Sequence, residues 1–81
     1  MVQRRVQFTF QGDRVKEPVI YLLGKNFPLV TNIRRAQIEG DTGWAVLELD
    51  GELADIEAGL EWVRSLGVDV QPLEGDILAG D

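Results

Sequence analysis

At 81 residues and 9.0 kDa the chain has room for one small domain and no second core. It contains neither cysteine nor histidine, which excludes disulfides, thiolate chemistry, the commonest metal ligand and the usual neutral-pH general base. The net charge of −6 is unevenly spread: residues 1–38 carry seven Lys/Arg against two Asp/Glu, and residues 39–81 carry one against twelve. This balance disfavours a nucleic-acid partner, most metalloenzymes and any nucleophilic catalyst, and no cofactor is expected. The N-terminus lacks the apolar run of a signal peptide. The longest apolar stretches, Val19 to Leu23 and Ala45 to Leu47, are too short to cross a bilayer. A cytoplasmic protein without membrane insertion is therefore expected.

The opening stretch alternates, with Val6, Phe8 and Phe10 on one side and Arg5, Gln7 and Thr9 on the other. This period of two reads as a half-buried strand. Gln11-Gly12-Asp13 breaks it, and Pro18 stands where a first helical turn tolerates its missing N–H. Ile20, Leu23 and Phe27 then recur at helical spacing until Asn26 and Pro28 end the run. Residues 29–39 form a second extended segment whose inward set changes phase between Ile33 and the pair Ala36 and Ile38. One face cannot bury all three, so a bulge or a late strand start is expected. Gly40 to Gly43 has the composition of a hairpin loop.

Trp44 to Asp50 reads as the third strand, with Ala45, Leu47 and Leu49 inward and Trp44, Val46 and Glu48 outward. A second helix follows on the stripe Leu53, Ile56, Leu60, Val63 and Leu66, with Gly67 as its C-terminal stop. Val68 to Leu73 supplies a last strand, where Pro72 suits an edge. The order βαββαβ predicts an α+β, ferredoxin-like sandwich: strands 1 and 3 central in a four-stranded antiparallel sheet, both helices on one face. Residues 1–74 are expected to form this single domain and 75–81 a flexible tail. So small a core leaves the other sheet face bare, and its Trp44 and Val46 invite a partner surface.

These pieces in this order resemble a known family. Val6-Gln-Phe-Thr-Phe-Gln-Gly12, Glu17-Pro18-Val-Ile20 and Asn32-Ile33-Arg34-Arg35-Ala36-Gln37-Ile38-Glu39 are similar to the NIL domain. So are Leu47-Glu48-Leu49-Asp50-Gly51, Asp55-Ile56-Glu57-Ala58 and Trp62-Val-Arg-Ser-Leu-Gly67-Val68-Asp-Val70. The Asn-Ile-Leu motif that names the family reads Asn32-Ile33-Arg34 here. The resemblance implies an ACT-like fold and a non-enzymatic regulatory role. In methionine-importer ATPases such domains pair as dimers, bind methionine and inhibit transport; others are fused to iron–sulfur modules or stand alone. Without cysteine or an ATPase region, this chain resembles the stand-alone kind. The expected partners are a second copy of the chain, an amino-acid ligand (methionine or a relative) and a transporter or iron–sulfur protein.

Individual residues carry two readings each. Asn32, Ile33 and Arg34 are the candidate ligand-binding set. The Asn32 amide can both donate to a carboxylate and accept from an ammonium, or it can close the turn before strand 2. Arg34 can grip a carboxylate, favouring a more polar ligand than methionine, or with Arg35 it can keep an edge strand solvated and ion-paired. Trp44, Val46 and Arg35 are candidate interface residues. The segment Gly43-Trp-Ala-Val-Leu-Glu-Leu49 shares the strand pattern of an RNA-recognition motif but lacks its basic residue and second stacking aromatic. Nothing in the sequence marks a buried acid, so Glu39, Asp41, Glu48 and Asp50 are not read as a catalytic pair or a metal site. The acids of helix 2, Glu52, Asp55, Glu57 and Glu61, are read as a solvated face. The alternative to a sensor is an oligomerisation module with no small-molecule ligand. Arg4 and Arg5 on strand 1 and Arg34 and Arg35 on strand 2 are expected to flank Glu48 and Asp50 on strand 3.

Overall fold

A computed structural model describes residues 1–11, 18–39 and 42–73. The expected tail, residues 75–81, lies outside them. The elements run β1 (Val2–Gln11), α1 (Val19–Asn26), β2 (Val30–Glu39), β3 (Thr42–Gly51), α2 (Leu53–Ser65) and β4 (Asp69–Pro72). They form one four-stranded sheet in the order β2-β3-β1-β4, with every neighbouring pair antiparallel. This is the ferredoxin-like α+β architecture that the order of elements predicts.

The alternation of β1 and β3 decides which face is buried. Val6 and Phe8 lie opposite Leu47 and Ala45, and all four are sealed from solvent together with Leu49. The helices close over them with Val19 and Leu23 from α1 and Ile56 and Val63 from α2, and Leu29 and Val68 complete the core. The stripe on α2 is shorter than its spacing predicts, because Leu53 at its start remains 41% exposed. The two helices approach closely at Gly59. A Cβ built there would stand 2.8 Å from Leu23 Cδ1 and 3.2 Å from Leu29 Cδ1, so the crossing depends on a residue without a side chain. Beside it, the Phe27 and Trp62 rings lie 5.8 Å apart and tilted by 48°.

Three boundaries follow from backbone chemistry. Helix α1 ends where the Phe27 N–H donates to the Leu23 carbonyl and Phe27 turns extended before Pro28. Helix α2 ends at Gly67, whose φ of +91° is open to glycine at little cost and whose N–H donates to the Arg64 carbonyl. The β2–β3 hairpin is tighter than composition suggests: Glu39 pairs with Thr42, so Thr42 and Gly43 belong to β3 and not to a loop.

The phase change in β2 is a bulge. Ile33 lies opposite Leu47 but Arg35 lies opposite Val46, which leaves Arg34 as the extra residue. The insertion changes which face the following residues serve. Filling the helix crossing tests the packing directly. Gly59→Val should lower the unfolding free energy by about 1–3 kcal/mol in urea denaturation, the usual cost of overpacking a close-packed core. An unchanged midpoint would mean that the helices do not meet at this spacing.

Candidate functional site

The sheet face away from the helices is where the predicted site residues can be judged. Residues directly opposite in a ladder share a face, so Arg5 and Asn32 stand beside Glu48, Gln7 and Arg35 beside Val46, and Thr9 and Gln37 beside Trp44. The bulge brings Arg34 to the same side, where its Nη1 comes within 3.6 Å of Glu48 Oε1. Asn32, Arg34, Arg35, Trp44 and Val46 are therefore gathered on one open face. Ile33 is not. It stands opposite Leu47 on the helix side, and it is 53% exposed because the helices do not reach the sheet edge.

Glu48 corrects the expectation that the chain holds no buried acid. It is buried at the centre of the open face, where Arg5 Nη2 donates to its Oε2 and Arg34 approaches its other oxygen. The hydrogen bond from Arg5 holds the Glu48 carboxyl below the ordinary carboxylate range; burial opposes this, and the charges of Arg34 and Arg5 reinforce it. The signal for this pair lies in the strand register. Once β1 and β3 are antiparallel with Val6 opposite Leu47, Arg5 must fall opposite Glu48. The flanking of strand 3 by arginines is thus realised by Arg5 and Arg34, but not by Arg4, which lies opposite Leu49 on the helix side.

Arg35 takes a different position. Its guanidinium carbon lies 5.9 Å from the centroid of the Trp44 ring, at the outer limit of a cation–π contact. Among the described residues it is paired with no carboxylate. Asn32 lies within β2 and not in a turn, so its amide does not close the connection before the strand. Among the described residues that amide makes no hydrogen bond, and it is exposed to solvent. Arg5, Arg34, Arg35, Trp44 and Val46 line an open depression of about 430 Å³ on this face. Gln7 and Leu73, which the sequence does not mark as site residues, also line it. No group of three or more metal-ligating side chains occurs among the described residues. No described helix is long and apolar enough to cross a membrane.

An antiparallel β2-β3-β1-β4 sheet with two helices on one face and a polar opposite face defines an ACT-like α+β domain. Its family follows from comparison. The model of the NIL domain matches residues 4–72, and the chain belongs to that family. The methionine import ATP-binding protein MetN 2 of Lactiplantibacillus plantarum is 32% identical over 72 residues, covering 84% of this chain and 21% of the relative. MetN of Helicobacter pylori is 31% identical over 72 residues, covering 84% and 22%. The chain thus spans about a fifth of the length of the curated relatives it matches. Among solved structures, the C-terminal domain of an ABC transporter ATP-binding protein from Enterococcus faecalis superposes with a TM-score of 0.79 at 26% identity, covering 86% of this chain and 82% of that one.

The depressed acidity of Glu48 has a testable consequence. A carboxylate whose folded pKa lies below its unfolded value contributes stability above the unfolded pKa and loses it as pH falls through the folded one. Wild type should therefore melt at a higher temperature than Glu48→Gln at pH 7, and the gap should shrink as the pH is lowered through and below the ordinary carboxylate value of 4.5. A gap that is constant from pH 7 to pH 3 would show that the ion pair does not support the fold.

Proposed function

We propose that the chain is a non-enzymatic regulatory module that works as a homodimer and senses an amino acid, methionine or a relative, bound beside β2 at the subunit interface. What carries the reading is its membership of the NIL family together with an open sheet face that gathers Asn32 and Arg34. The relatives named for methionine import support the ligand class. Asn32 offers an amide that can pair with both ends of an amino acid, and Arg34 offers a guanidinium for its carboxylate. Ligand contacts shared between two subunits would favour one dimer arrangement, by as much as they bind it better than the other. A transporter component or an iron–sulfur protein in the cytoplasm would read that arrangement.

Titration calorimetry against the twenty amino acids tests the proposal. Binding of methionine or a polar relative is expected with a Kd of about 1 mM or below, and Asn32→Ala should weaken it about tenfold, the equivalent of losing roughly 1.4 kcal/mol. Absence of heat with every amino acid would overturn the sensor reading.

The half-buried Trp44 supports a second reading, in which the open face joins copies of the chain without any small molecule. Sedimentation of Trp44→Ala separates the two. Loss of the dimer by a factor of ten or more is expected if the ring anchors the contact, as buried aromatic anchors do. An intact dimer would place the contact elsewhere, with the β2 edge as the next site to test.

A further inference from the structure

Among the described residues, the depression on the open face carries more positive charge than its carboxylate can match, and it has an aromatic wall. Glu48 is the acid beneath it, buried and held by Arg5. Arg34 lies farther out, half exposed and 3.6 Å from the same carboxylate, and Arg35 rests against Trp44 with no carboxylate partner among the described residues. Counting Arg5 and Glu48 as a neutral pair, two guanidiniums remain in the wall of the cavity. Among the described residues no acidic side chain lines it. The depression of about 590 Å³ between β1 and α2 differs, because its wall sets the acids Glu57 and Glu61 among Arg4, Arg5 and Arg64.

We propose that the depression over Trp44 binds a small organic oxyanion, a carboxylate or a phosphate monoester, attached to a flat apolar group. The oxyanion is held by Arg34 and Arg35, because guanidinium presents paired N–H donors that match such groups. The flat group lies against Trp44 and Val46, the apolar part of the wall, where ring contacts add to the area buried. The volume of about 430 Å³ suits a ligand of one ring and one acidic group. Three details favour this occupant. Arg34 is steadied by Glu48, so part of its side-chain entropy is lost before the ligand arrives. Arg35 touches Trp44 only at the limit of a cation–π contact, so its donors remain available to an anion. Gln7 adds an amide donor that requires no charge. The site goes beyond the amino-acid reading, since no α-amino group takes part and one protomer supplies all the described wall residues.

The two tryptophans make the test internal to the molecule. Trp62 is packed against Phe27 on the helix side, so the two indole N–H signals in NMR report the site and a control, assigned with Trp62→Phe. Phenyl phosphate and phenylacetate should each move the Trp44 signal saturably with a Kd of about 1 mM or tighter, while Trp62 stays in place. Uncharged phenylacetamide should leave Trp44 unmoved, and raising the salt should weaken the two anions. Arg35→Gln, which breaks no ion pair among the described residues, should weaken the anions about tenfold, as loss of one charged hydrogen-bonding group does. Stronger binding of phenyl phosphate than of phenylacetate would assign the site to phosphate esters, and the reverse order to carboxylates. Equal movement of both indoles, equal binding of phenylacetamide, or unaltered binding by Arg35→Gln would each overturn the proposal. An amino acid that gives heat in calorimetry without moving Trp44 would separate the failure of this site from that of the sensor reading.

Discussion

Two helices can cover only one side of a four-stranded sheet, and that constraint governs everything else in the molecule. The covered side is a single apolar cluster built by alternation on β1 and β3. The other side must be stable in the folded chain without a second layer above it. It achieves this with polar alternation and with one buried acid, Glu48, clasped by Arg5 from one neighbouring strand and approached by Arg34 from the other. An acid at this depth is tolerable only when its charge is matched, because an unpaired buried carboxylate would be driven to protonate. The ion pair thus links β3 to β1 on the face that hydrophobic burial does not hold.

Most of the fold was legible from periodicity alone. Val6 and Phe8, then Ala45, Leu47 and Leu49, alternate so regularly that only one side of their strands can be buried, and their positions in the structure agree. The conflict between Ile33 and Ala36 was equally informative, since a residue too many on one strand has few physical outcomes. The extent of the β2–β3 hairpin was less visible. Thr42 and Gly43 are ordinary loop residues by composition, and only the pairing of Glu39 with Thr42 draws them into the strand. Leu53 was misread because a stripe of apolar residues says which way a helix faces but not where the sheet beneath it stops.

The site was legible in its parts and not in its arrangement. Asn32, Arg34, Arg35, Trp44 and Val46 could each be picked out by chemistry, but which of them share a surface depends on register. A single inserted residue reverses the answer for everything that follows it. Glu48 was the hardest to read, because nothing in Leu47-Glu48-Leu49 distinguishes a solvated glutamate from one sheltered between strands. Its burial is a property of three strands at once. The outward side of Gln7 follows from alternation, but Gln7 and Leu73 line the depression only because β1 and β4 are placed where they are.

The bulge also explains how a family whose name comes from Asn-Ile-Leu can carry Asn32-Ile33-Arg34. In a regular strand the residue after Ile33 would simply take its turn on the open face. Here Arg34 is the unpaired extra residue, free of the ladder on either side and able to swing toward Glu48. A charged side chain at that position removes nothing from the core, since the core lies on the other face. It acts instead on the surface chemistry, adding a second guanidinium beside Arg35 around a Trp wall where the motif's leucine would add only apolar area. Asn32 keeps the same neighbour, Glu48, whichever residue stands at 34. The scaffold that presents the asparagine is therefore preserved, while the polarity of what can bind beside it is set by a single side chain in the bulge.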